Sequence, residues 1–183
     1  MNDNTNDIAA RLAAPFDPRE VRWKPQTVAK DGKRALAIAY IDARAVIDRL
    51  DEVLGIDGWT DAYEVLPDGS TVCTLRAKIG EAWVSKVDVG GPSEQPDEGD
   101  RRKAAFSDAL KRAAVKLGIG RYLYRLKCQW ADWDSVKRCF MRMPTLPPDA
   151  LPPAKPKLST PVNGTPHRNG TPAAHADLPR VTA

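Results

Sequence analysis

Residues 102–126 read RKAAFSDALKRAAVKLGIGRYLYRL. With Phe106 at zero on a helical wheel and about 100° per residue, Ala109, Leu110, Ala113 and Leu117 gather beside it as a stripe to be buried. Lys111 and Arg112 project to either side of the opposite face, with Ala104 and Val115 between them and Lys116 beyond Arg112. The solvent side of the helix is thus two cations around a small apolar floor. Arg102 and Lys103 stand near the expected helix start, where positive charge opposes the macrodipole. Gly118-Ile119-Gly120 then permits a sharp turn, and Arg121, Arg125 and Lys127 follow, interleaved with Tyr122 and Tyr124.

Cations on a helix surface are ordinarily solvated and nothing more. Interleaved cations and rings add a second reading, in which charges track phosphates and rings stack on bases. For Tyr122 and Tyr124, alternation with Leu123 and Leu126 fits core packing equally well.

Upstream, NDIAARLAAPF predicts a short helix capped by Asn6 or Asp7 and stopped by Pro15, after a disordered start over residues 1–7. VRWKPQTVA and KRALAIAYI read as strands joined through Lys30-Asp31-Gly32, a hairpin signal, and Pro25 pushes the first towards a sheet edge. Asp42 can cap DARAVIDRLDEVLG, whose Val46, Leu50, Val53 and Leu54 fall at helical spacing, and Gly55 can end it. Three strand candidates follow, WTDAYEVL, TVCTLRAKI and AWVSKVDV, with turns at Pro67-Asp68-Gly69 and Gly80-Glu81. In the second, Cys73, Leu75, Ala77 and Ile79 alternate with Thr74, Arg76 and Lys78, the pattern of an antiparallel meander with one apolar face. An acidic, turn-rich loop, GGPSEQPDEGD, leads into the long helix. The order predicts an α+β fold, an antiparallel hairpin and three-stranded meander packed on helices.

The 183 residues are a prior for one domain, placed at residues 8–143. Ten of the 16 prolines lie from Pro144 on, where apolar periodicity is absent, so residues 144–183 are expected to form a disordered tail. NGTP occurs twice there, at Asn163 and Asn169. The polar start lacks a signal-peptide core, and no run reaches the roughly 18 apolar residues of a membrane span. Three widely spaced cysteines argue against a disulfide framework and suit a reducing cytoplasm. A net charge of +4 allows an acidic partner without demanding one.

Both histidines, His167 and His175, lie in the tail, so the expected domain has neither a histidine-based catalytic arrangement nor a histidine metal site. There is no GxxxxGK[ST] phosphate loop, hence no sign of ATP use, and no cofactor is expected. Asp88, Asp97, Glu98 and Asp100 are the acids a magnesium-dependent nuclease would use, set in or beside a loop where solvated acids are ordinary.

KAAFSDALKRAAVKLGIGRYLYRL, from Lys103, resembles the signature helix of the Rad52/22 family of single-strand annealing proteins, in particular its phage and bacterial members. YIDARAVIDRLDEVLGIDGWTDAY, from Tyr40 to Tyr63, resembles the family's other marker, a helix leading to a Gly-Trp strand. The order of elements agrees over roughly Ile8 to Leu126. The resemblance implies a ring of identical subunits whose groove holds single-stranded DNA and anneals complementary strands in recombination and double-strand break repair, without ATP and without catalysis. It places Lys111, Arg112 and Tyr40 in that groove. It puts Val115 where eukaryotic members carry an arginine, with Lys116 next to it, and it gives no counterpart of their outer-site lysine. Arg22, Lys24 and Arg34 of the first hairpin are further candidates to line the groove, as are Arg102, Lys103, Arg121 and Arg125. Cations that hold only phosphates are blind to sequence. A partner for the tail, a single-strand binding protein or a recombinase, is implied by the family alone. Two other classes of function stand beside this one: the magnesium nuclease, and an interaction module that binds an acidic partner without annealing anything.

Overall fold

The computed structural model describes residues 3–153. The opening stretch lies mostly in α3 (Glu98–Val115). Ahead of it come α1 (Asp3–Ala13), β1 (Arg22–Val28), β2 (Arg34–Tyr40), α2 (Ala43–Leu54), β3 (Trp59–Val65), β4 (Thr71–Ile79) and β5 (Ala82–Gly90). After it come a 3-10 turn (Arg121–Arg125), β6 (Gln129–Asp134), β7 (Cys139–Phe140) and a second 3-10 turn (Pro148–Ala150).

The local signals act as their chemistry predicts. Asp42 accepts a hydrogen bond from the Ala45 amide at 3.1 Å, and Gly55 ends α2 at φ +79°. β3, β4 and β5 form the expected meander, with Cys73, Leu75 and Ala77 fully buried. α3 lies across β4 and β5 and sets Ala109, Leu110 and Ala113 into the core with Leu12, Phe16, Val46 and Leu50. The Phe106 ring stacks on Tyr63 of β3, centroids 4.7 Å apart. β1 is an edge strand, and its ladder with β2 shifts register between Pro25 and Thr27, where proline cannot donate.

Some expectations are corrected. The fold class holds, but the strands form two sheets, because β6 and β7 extend the hairpin into a second one of order β1-β2-β6-β7. That sheet has its own small core of Ala35, Ala37, Trp133 and Phe140. α1 begins at Asp3, inside the stretch expected to lack structure. Ile8 and Leu12 anchor its C-terminal half, and each residue added ahead of them gains a hydrogen bond. α3 starts at Glu98 rather than near Arg102: Asp97 accepts from the Asp100 amide at 2.9 Å, and Glu98 and Asp100 fill the first turn, where the macrodipole favours acids. Beyond Met143 the chain still packs, with Leu146 against the main core and Ala150 buried. The rest of the expected tail, from residue 154, lies outside the described residues, as do His167, His175 and both NGTP copies.

Candidate nucleic-acid interface

The β1–β2 hairpin and the C-terminal half of α3 enclose a cleft of about 360 Å³, which the segment after the Gly-Ile-Gly turn closes on a third side. The turn depends on two left-handed residues, Gly118 at φ +108° and Gly120 at φ +66°. A side chain on Gly120 would also meet the Ile41 Cδ1 atom at 2.9 Å. Ile119, buried between them, joins Ile41 and Leu123 in the cleft wall.

Tyr40, the last residue of β2, lines the cleft. The Lys24 ammonium lies 5.5 Å from its ring centroid and that of Lys111 5.8 Å, so two cations share one ring. Lys24 reaches it because Lys24 pairs with Ile38, two residues from Tyr40 and on the same hairpin face. Burial lowers the Lys111 pKa from its ordinary value; Asp108 opposes the shift and Lys24 adds to it. Tyr124, 71% exposed, and Lys127 also line it, as do Trp23 and Gln26 of β1. The result is an apolar trough with three lysines and two tyrosines, and Asp108 as the acid among them.

The other predicted cations are placed elsewhere or already engaged. Arg112 leaves α3 on the far side: its Nε donates to Asp88 Oδ1 of β5 at 3.0 Å, and Lys116 Nζ lies 3.0 Å from Oδ2 of the same carboxylate. Arg121 donates to the carbonyls of Val115 and Lys116, each at 2.8 Å, and so closes the C-terminus of α3. Arg102 pairs with Glu98 and Lys103 with Asp100 on the first turns of the same helix. Arg22 points to Asp42, 3.1 Å away. Arg34 sits at the other end of β2, about 20 Å along the strand, over the Trp130 ring. Arg125 is exposed at the end of the 3-10 turn. The two tyrosines divide between their readings: the Tyr122 hydroxyl accepts the Phe16 amide at 3.1 Å and braces the core, whereas Tyr124 faces the cleft.

The four acids of the nuclease reading are all occupied. Asp97 caps α3, Glu98 and Asp100 pair along it, and Asp88 holds two cations. Partial burial disfavours the Asp88 anion, but hydrogen bonds from Lys116, the Val89 amide and Arg112 outweigh it and keep the carboxyl below its ordinary pKa. Among the described residues, no three His, Cys, Asp or Glu side chains gather as a metal site would require.

With this geometry in hand, residues 4–139, from α1 into β7, match the model of the Rad52/22 family double-strand break repair protein. The chain belongs to the Rad52/22 family. Its curated relatives include the single-stranded DNA-binding protein DdrA of Deinococcus deserti, 48% identical over 149 residues that cover 80% of this chain and 71% of that protein. The DdrA of Deinococcus radiodurans is 46% identical over 149 residues, covering 80% and 69%. The Rad52/22 match spans both sides of the cleft, hairpin and helix alike. Sequence reasoning noted Tyr124 and Lys127 in a pattern suited to nucleic acid but did not count them among the residues of the groove. Their signal was the ring-and-cation alternation after Gly120, which cannot say by itself which ring turns inward.

Proposed function

We propose that this Rad52/22 protein binds single-stranded DNA by its phosphates along the cleft and anneals complementary strands in double-strand break repair, without ATP and without making or breaking covalent bonds. The observation that carries this is the pair of ammonium groups, Lys24 and Lys111, 5.5 and 5.8 Å from the centroid of the Tyr40 ring, a cationic locus whose Lys111 charge is held against burial. A phosphate set there restores the solvation that burial removes, and Tyr124 offers an exposed face for a base. The family description and the name of the DdrA relatives support the same reading. Lysines that hold only phosphates do not select one base over another, so in this reading the strand is held without regard to sequence and its bases stay available for pairing.

Residues 3–153 form the annealing domain in this reading. Copies assemble into a ring, so that a modest charge per subunit adds up along one strand. The segment beyond recruits a single-strand binding protein or a recombinase in the cytoplasm of a bacterial or phage-infected cell. Among the described residues no helix is long and apolar enough to cross a membrane.

Fluorescence anisotropy of a labelled oligonucleotide tests the site. Lys24→Ala with Lys111→Ala is expected to cost at least tenfold in affinity, about 1.4 kcal/mol, and to lower the slope of log K against log salt by about 1.4, from two contacts of about 0.7 each. Wild-type slope in a folded double variant would move the site away from the cleft. Shortening of the strand in magnesium, abolished by EDTA, would instead favour the nuclease.

A further inference from the structure

The cleft is larger and less polar than a phosphate needs. Its volume is about 360 Å³, and its walls include Ile38, Ile41, Val115, Ile119, Leu123 and Leu126. Apolar walls do nothing for a phosphate, whereas they suit the faces of a base. Tyr124, 71% exposed, lines the same cleft with a ring on which a base can stack. One wall also carries an acid. Asp108, Lys111 and Val115 stand at i, i+3 and i+7 on α3, so one stripe of the helix faces the cleft. Among the described residues no hydrogen bond or ion pair reaches the Asp108 carboxylate, whereas Asp97, Glu98 and Asp100 at the start of α3 are all engaged. An unpaired carboxylate repels phosphate. It only accepts hydrogen bonds, so what it suits in a nucleotide is an N–H group on the edge of a base.

We propose that the cleft takes in one base of the bound strand, and that Asp108 makes guanine the base it holds best. This rests on the single-strand reading of the cleft and adds a residue that sets its preference. Lys24 and Lys111 hold phosphates whatever the sequence, and one base at each site turns inward while its neighbours stay open for pairing. Guanine fits because of its donors. Its N1–H and N2–H groups lie side by side on one edge, and the two oxygens of a carboxylate accept both. Its O6, next to them, is an acceptor suited to the Gln26 amide or the Lys127 ammonium, both in the lining. Adenine and cytosine each offer one amine beside a ring nitrogen whose lone pair repels the carboxylate. Thymine offers one N–H between two carbonyls that do the same. The edge that Asp108 takes is also the edge that a cytosine of the complementary strand takes, so pairing and release from the cleft are one exchange.

The test is a set of labelled oligo(dT) strands of one length, unmodified or with a single central dG, deoxyinosine, dA or dC, read by anisotropy with the full chain. Equal length and charge cancel the phosphate contribution, so a difference in affinity comes from the base. The dG strand should bind roughly fivefold more tightly than oligo(dT), the low end of what a bidentate contact to a base gives. Deoxyinosine, which lacks the N2 amine, should lose most of that advantage, and the salt slopes should be the same for all the strands. Asp108→Ala, at a half-buried helix position where alanine is favourable, should bind oligo(dT) at least as tightly as the wild type, because an acid has left the cleft, and should no longer distinguish dG from dT. Wild-type protein that binds all the strands equally, or an Asp108→Ala protein that keeps the dG preference, would overturn the proposal. If Asp108→Ala does not fold, deoxyinosine decides: a deoxyinosine strand that binds as tightly as the dG strand would sink the proposal. Wild-type protein that binds no single strand would remove the underlying reading rather than this addition to it.

Discussion

Lys111 carries its charge at a disadvantage, because burial in the cleft lowers its pKa and Lys24 adds to the effect. The sign of the pH dependence follows. Phosphate binds the protonated form, so strand affinity should fall as pH rises through the lowered value, before an ordinary lysine at 10.5 would lose its proton. Lys111→Arg should hold its affinity over the same range, since a guanidinium stays charged. Oligo(dA), whose base has no proton to lose there, is the probe to use, and identical pH profiles for the two proteins would contradict the assignment. The same shift means that the free protein gains stability as pH climbs from the folded value towards 10.5, because the penalised charge is being removed. At this scale the sequence was half legible. The wheel put Lys111 and Arg112 on opposite shoulders of α3, and the structure keeps them there. It could not show that one shoulder meets Tyr40 and the other Asp88, since both partners come from distant segments. Arg121 read as a phosphate ligand because local pattern cannot reveal that the chain doubles back onto the carbonyls of Val115 and Lys116.

α3 owes its closeness to the meander to small residues on both sides. Ala105, Ala109 and Ala113 are fully buried beneath the helix, and Gly90 ends β5 under its middle. A methyl group on Gly90 would stand 2.2 Å from the Ala105 carbonyl oxygen and 2.4 Å from the Ala109 nitrogen, both backbone atoms that cannot rotate away. Gly90→Ala should therefore cost about 3 kcal/mol, the upper end of overpacking. Urea unfolding checks this, and a loss under about 0.5 kcal/mol would mean that the contact is looser than described. Because α3 also carries Lys111, the variant should weaken strand binding in proportion to the helix's displacement. α2, the meander and the core of α3 were legible because caps, turn residues and periodicity agreed along a continuous stretch. β6 and β7 were not. QWADWD is short, and what makes it a strand is pairing with β2, Ala131 opposite Ala35, almost a hundred residues earlier.

For the whole molecule, the family and the order of elements were readable from two long motifs, whereas the domain edges were not, because packing decides them. Leu146 and Ala150 pack beyond the expected border at Met143. A chain ending at Pro153 should melt like the full chain, and one ending at Met143 should lose about 1–2 kcal/mol from the exposed apolar surface. Equal melting of the two would return the border to Met143. Sedimentation of the chain ending at Pro153 should show a closed assembly of many copies, and a monomer at working concentration would contradict the ring. The most direct test of the central claim, that the cleft holds single strands for pairing, is annealing of two complementary labelled oligonucleotides without ATP, followed by energy transfer between the labels. Wild-type protein should anneal them well above the spontaneous rate, and Lys24→Ala with Lys111→Ala should fall back to that rate while remaining folded. Spontaneous-rate annealing by the wild type, or undiminished annealing by the double variant, would contradict the account.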